Sequence, residues 1–156
     1  SALTDGTTNA RGYTGAWNKD NYVVAWHDES ASPRAIYAAV VEQDGTITVP
    51  VTALSNPGSA RSRNPTVKAF GDRVLVVYQD NRDGNQGYEL YARMVDDKLS
   101  PLTSEERITF APKDSVYPIA SFGPDGNVGV LFRDYDTQSL EQQVFFTHLG
   151  CVAGTN

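Results

Sequence analysis

Two independent sets of landmarks predict an all-β chain made of three repeated four-stranded units. Apolar runs ending in aromatic-x-Asp recur at positions 22–28, 74–80 and 128–134, which places Asp28, Asp80 and Asp134 at nearly even intervals. A second apolar run follows each, and its landmarks Tyr37, Tyr91 and Phe145 are evenly spaced. A third observation is negative: no stretch carries a helical period. Four short strands in a unit of about 50 residues is the arithmetic of a β-propeller blade.

Taken in order, positions 1–12 read as the outer strand of a preceding blade followed by a loop. Leu3 precedes Tyr13 by the same interval that separates Ile108 from Pro118 at the next blade start. Blade 1 is then 13–64, blade 2 is 65–117 and blade 3 is 118–156, all within a single propeller segment, 1–156. In blade 2 the strands are expected at 66–70, 73–79 and 89–95, with a fourth ending near Ile108. The run 74–78 has no polar alternation, so both of its faces should be covered. Turn chemistry separates the strands at Gly71-Asp72, at Arg82-Asp83-Gly84-Asn85 and at 123–126. Leu54-Ser55 and Ile108-Thr109 stand equally far beyond Tyr37 and Tyr91 and mark outer strands. The sequence stops at Asn156, too soon after Phe145 for a full copy of that strand, so the outer strand of blade 3 should be short or missing. Three blades do not close a ring. The expectation is half of a six-bladed ring formed by self-association, with positions 1–4 lent to the other copy, or a fragment of a longer propeller with missing blades. A non-propeller stack of sheets is the alternative.

Composition narrows the partners. Lys and Arg number 13 against 19 Asp and Glu, for a net charge of −6. That balance argues against phosphate-backbone binding as the main task, so no nucleic acid is expected. No apolar run approaches the length of a membrane span. Cys151 is the one cysteine and His27 and His148 are the two histidines, too few for an intrachain disulfide, a cysteine zinc site or a histidine cage. No metal or cofactor is expected. In an oxidising compartment Cys151 would pair with another chain or stay buried.

The segments 122–132 (FGPDGNVGVLF) and 78–85 (YQDNRDGN), the latter followed by Glu89-Leu90-Tyr91-Ala92, resemble the repeats of bacterial propellers of the TolB/PD40 type and, loosely, sialidase-like propellers. Blade 1 keeps Trp26-His27-Asp28 and Ile36-Tyr37-Ala38 but lacks the Asp-Gly of the long loop. The sialidase Asp-box, the kelch glycine pair and the WD40 Trp-Asp ending are absent. The resemblance implies a propeller fold and an exported setting, secreted or periplasmic. It implies no activity.

Asp28, Asp80 and Asp134 recur in every unit, which points to blade-building: each carboxylate accepts backbone N–H groups of the following turn. A ring of acidic ligands is the sharper alternative. Residues that break the repeat are better ligand candidates. His27, Gln79 and Arg133 share one position, immediately before the repeated aspartate, and differ in every blade. Arg61, Arg63, Arg82 and Arg133 fall in or beside loops of one propeller face, where guanidinium groups could pair with a sugar carboxylate. Arg82 beside Asp83 also reads as a surface ion pair. Trp17, Tyr88, Tyr117 and Tyr135 lie near strand ends, where rings can stack on sugars or pack between blades. Two functions follow. The first is a non-catalytic recognition module that binds glycans or proteins through His27, Arg61, Arg63, Arg82, Arg133 and Tyr135. The alternative is a propeller-type glycoside hydrolase or lyase, sialidase-like, or a fragment of one. No catalytic residue can be picked out.

Overall fold

The computed structural model describes residues 2–31, 34–84, 87–135 and 141–150. Cys151 and the tail expected to meet positions 1–4 lie outside the described residues, as does Asn85.

Eleven strands and no helix form among the described residues. The first sheet runs β1 (Ala10–Asn18), β2 (Asn21–Asp28), β3 (Ile36–Val41) and β4 (Ile47–Ala53). The second runs β5 (Ser62–Phe70), β6 (Arg73–Asp80), β7 (Glu89–Asp96) and β8 (Glu106–Arg107). The third runs β9 (Val116–Phe122), β10 (Val128–Tyr135) and β11 (Gln142–Leu149). Within each sheet every strand pairs antiparallel with its successor. Ala2, Leu3 and Thr4 have no strand pairing among the described residues. Their expected partner is the edge of another blade, which this chain does not bring beside them.

The sheets stack face to face, and side-chain alternation along each middle strand decides which neighbour is met. In the first seam, Val23 and Ala25 of β2 with Ile36 and Ala38 of β3 pack against Val74, Val76 and Tyr78 of β6. The alternate residues of β6, Leu75 and Val77, turn the other way. With Leu90 and Ala92 they pack against Val128, Val130 and Phe132 of β10. The lack of alternation in 74–78 thus has its expected cause: β6 is the middle strand of the middle sheet and buries both faces. Each such buried Val or Leu contributes about 1.5–3 kcal/mol.

The innermost strand of every sheet carries one bulge. Pairing shifts register between Arg11 and Thr14, between Arg63 and Thr66, and opposite Leu131 and Arg133. At those points Gly12, Asn64 and Tyr117 take φ of 54°, 47° and 57°. A bulge inserts an unpaired residue and frees its N–H from the ladder. It also lets the chain resume pairing beyond it, Arg63 with Gln79 and Ser62 with Asp80, so β5 starts at Ser62 rather than at the expected Thr66.

Candidate functional site

One end of every middle strand closes in a repeated aspartate. Asp28 Oδ1 accepts the Ser30 N–H at 2.8 Å, the Ser30 hydroxyl at 2.6 Å and the Asn9 N–H at 3.2 Å. Asp80 Oδ1 accepts the Arg82 N–H at 2.8 Å, and its Oδ2 accepts the Ser62 hydroxyl at 2.6 Å. Asp134 accepts the Tyr135 N–H at 2.6 Å and the Ser115 hydroxyl at 2.9 Å. All three are buried. Their lone pairs tie the turn after the middle strand to the start of the inner strand, so they build the blade rather than form an acidic ring.

The position before each aspartate does different work. Bulging leaves the N–H of Asn64 and of Tyr117 without a ladder partner, and a buried unpaired N–H is costly. His27 Nδ1 accepts the Asn64 N–H at 3.3 Å, across the seam from the first sheet to the second. Gln79 Oε1 accepts the Tyr117 N–H at 3.1 Å across the next seam, and also the Asn64 side-chain amide at 3.0 Å. His27 and Gln79 are therefore buried and accept hydrogen bonds across the seams. Arg133, the third member, has no acceptor to offer. Its guanidinium lies 4.6 Å from the Tyr117 ring centroid, half-buried, with its Nε buried and without a hydrogen-bond partner.

Just above His27 the seam opens to solvent. Arg63 reaches Glu29 at 2.6 and 2.7 Å, and Glu29 Oε1 lies 3.4 Å from His27 Nε2. The Glu29 and Arg63 side chains are 22% and 29% exposed, so the pair is within reach of a ligand. Burial pushes the Glu29 carboxyl up, but the bond and charge of Arg63, with His27 and Arg61 beyond, outweigh it and hold the group below the usual range. Burial is the largest effect on His27 and lowers its pKa, Arg63 and Arg11 adding to it against the opposing pull of Glu29. The imidazole is thus neutral at pH 7, with Nδ1 accepting and Nε2–H aimed at Glu29.

This arrangement makes stability pH-dependent. The unfolded imidazole takes up a proton near pH 6.5 and the folded one only at lower pH. The unfolded state therefore binds more protons as pH falls, and stability drops as the pH falls through about 6.5. His27→Gln places at this position the acceptor that Gln79 already uses, and it cannot titrate. Urea unfolding at pH 7 and pH 5 is expected to show a stability loss in the parent chain that is much reduced in His27→Gln.

Arg82 belongs to a separate cluster, and its expected surface pairing with Asp83 is not what forms. It bridges Asp80 at 2.8 Å and Glu105 at 2.9 Å and stacks 4.5 Å from the Tyr91 ring centroid. The Asp80-capped turn folds its side chain back over the blade, while Asp83 pairs with Arg107 at 3.0 Å and accepts the Tyr91 hydroxyl. Tyr78 donates its hydroxyl to Glu105. A tyrosine beside a carboxylate invites comparison with a nucleophile, yet Tyr78 is fully buried, and burial followed by Glu105 drives its pKa upward. Both residues belong to the second sheet, and Glu105 reaches across the first seam by accepting the Asn56 N–H at 3.0 Å.

Of the residues singled out in the sequence, the fold gathers His27, Arg61 and Arg63 around Glu29, with Asn64 and Gly12 beside them. Tyr135 sits on the third sheet, with Lys113 Nζ 5.4 Å from its ring centroid. Trp17 pairs edge-on with Tyr22 at 4.8 Å next to the β1–β2 turn, at the opposite end of the strands from His27. His148 is exposed on β11. Asn64 is not among the candidates that the sequence offers, and Glu29 is met there only as a neighbour of His27. Asn64 and Tyr117 are each followed by proline and lie one repeat apart, a legible periodic signal for the bulge. Glu29 carries none, since its partner Arg63 lies on the next blade and neither residue repeats.

No family model and no curated protein matches the sequence. Solved structures do match the fold. An endo-arabinase from Bacteroides thetaiotaomicron VPI-5482 superposes with a TM-score of 0.71 at 12% identity, over 100% of this chain and 61% of that one. The chain has a propeller fold. A GH43 endo-arabinanase from Bacillus licheniformis superposes with a TM-score of 0.59 at 11% identity, over 94% of this chain and 55% of that one. This chain therefore spans roughly three-fifths of the length of those neighbours. Both neighbours are glycoside hydrolases, the second of the two functions read from the sequence rather than the first.

Proposed function

We propose that the chain contributes three blades to the sugar-processing face of a propeller glycoside hydrolase, acting on a glycan outside the cytoplasm. The Glu29–Arg63–His27 constellation carries this reading, because it sets a solvent-reachable carboxylate at the mouth of an inter-blade seam. Glycosidic cleavage passes through an oxocarbenium-like state and needs one carboxyl that stays ionised to stabilise that charge or activate the attacking group. Arg63 keeps Glu29 in that form. Arg61 and Arg63 supply planar donors for sugar hydroxyl or carboxylate oxygens. Tyr13 and Tyr117, 87% and 54% exposed, offer faces on which a sugar ring can stack. The neighbours' arabinan-cleaving names make arabinan the first substrate to try. The motifs at 78–92 and 122–132 support repeats of the TolB/PD40 or sialidase-like kind.

The test is release of reducing ends from arabinan and from a panel of aryl glycosides. Turnover by the parent chain, reduced about 100-fold or more in Glu29→Gln with circular dichroism unchanged, is the expected result. Glycan binding without turnover would replace this proposal with a non-catalytic recognition module. Neither binding nor turnover would reject both.

A further inference from the structure

The two outward sheet faces of the arc match the two sides of the seams inside it. On the third sheet, Ile119, Leu131, Val144 and Phe146 are 63%, 45%, 77% and 64% exposed. Leu131 pairs with Ile119 on one side and Phe146 on the other, so they share one face. These are the repeat positions at which the first two sheets meet their successors. Leu131 corresponds to Ala25 and Val77, Val144 to Ile36 and Leu90, and Phe146 to Ala38 and Ala92, all of those counterparts being buried. The Phe146 ring lies down over Gly129, where a Cβ would come within 2.8 Å of it.

The outward face of the first sheet is the reciprocal surface. Tyr22, Val24 and Trp26 correspond to Val74, Val76 and Tyr78 and to Val128, Val130 and Phe132, the side chains that sheets two and three press into the sheet before them. Tyr22 is 45% exposed and Trp17 beside it is also 45% exposed. Trp26 is buried, and Leu3 and Thr4 line the hollows around it. Leu3 precedes Tyr13 as Ile108 precedes Pro118, and Leu54, its other counterpart, is 2% exposed inside the first seam. One element of a preceding blade is thus already in place. What remains open beside it is an apolar hollow of about 410 Å³ lined by Leu3, Tyr13, Val24 and Trp26 among others.

We propose that a second copy of this chain covers both faces: sheet three of each copy docks on sheet one of the other, closing a two-fold, six-bladed ring. Leu131, Val144 and Phe146 fill the hollow beside Trp26. Leu3-Thr4 of one copy comes to the β11 edge of the other, in the place that Leu54-Ser55 and Ile108-Thr109 take beside β3 and β7. The two faces are complementary rather than alike, so the ring has two equivalent seams related by the two-fold axis. Arg133 stands at the loop end of each new seam. It cannot accept the N–H that His27 and Gln79 accept inside the chain, so these seams lack that hydrogen bond.

Sedimentation velocity on the chain across about 1–200 µM tests this. The expected result is a shift from 17.0 kDa to twice that mass, with no larger species. Phe146→Asp on one face and Tyr22→Asp on the other should each raise the dissociation constant at least tenfold, with the circular dichroism of the dilute monomer unchanged because both side chains are exposed. A monomer throughout the range overturns the proposal. So do open-ended larger oligomers, which would mean that the contact does not close. An effect of Phe146→Asp with none from Tyr22→Asp also overturns it, since that pattern means two copies of sheet three meeting each other.

Discussion

Asp80→Ala is expected to destabilise the protein by about 3–5 kcal/mol, the cost of removing one partner from a buried ion pair. Asp80 is fully buried and serves three groups at once: the Arg82 N–H, the Arg82 guanidinium and the Ser62 hydroxyl. Ser62 in turn accepts the Ser55 hydroxyl at 2.7 Å, and Ser55 accepts the Ile36 N–H at 2.8 Å. The carboxylate therefore anchors a chain of bonds that runs from the middle strand of the second sheet to the third strand of the first. Its loss leaves a half-buried guanidinium leaning on Glu105 alone and a buried hydroxyl without its acceptor. Asp28→Ala should cost less, since no arginine is paired with that carboxylate. Urea unfolding of the two variants side by side measures the difference. Equal losses would mean that Arg82 contributes nothing to the effect.

Gly12→Ala is expected to cost about 2–4 kcal/mol, combining left-handed backbone with overpacking. The backbone alone is not prohibitive, for Asn64 and Tyr117 hold a similar φ at the same bulge with side chains attached. At Gly12, however, a Cβ would stand 2.8 Å from Asn64 Oδ1 and 2.8 Å from His27 Cε1 and Nδ1. The His27 ring and the Asn64 amide are both fixed by hydrogen bonds, so neither can move aside without breaking the seam. The methyl should therefore also disturb the Glu29–His27 contact. A thermal melt gives the stability loss, and the pH dependence ascribed to His27 should weaken in the same variant. A Gly12→Ala variant that melts with the parent would show that the seam at this point is loosely packed.

The repeat makes the fold legible. Asp28, Asp80 and Asp134 can be read as turn-capping residues because a group that recurs in every blade does the same local job in each, and local bonds follow from local sequence. The middle sheet announces itself through the unbroken apolar run 74–78, which only a strand covered on both faces tolerates. His27, Gln79 and Arg133 stand out in the sequence as equivalent positions that vary, but their task does not. Two of them answer a donor set free by a bulge on the following blade, a demand invisible from their own strand. The Glu29–Arg63 and Tyr78–Glu105 contacts join residues far apart in the chain that occur once each, so no periodicity exposes them. Arg82 reads in sequence as a partner of its neighbour Asp83, whereas the turn capped by Asp80 carries its side chain back toward Glu105.

The loop end of the seams, not the tight-turn end, is where the sugar should meet the protein. Hydrogen–deuterium exchange of the chain with and without saturating arabino-oligosaccharide tests this most directly. Slowed exchange is expected at the amides of 11–13, 27–31 and 63–64, around Glu29 and its partners. Protection confined to the turns at 19–20, 71–72 and 123–127, or no protection at any amide, would contradict it.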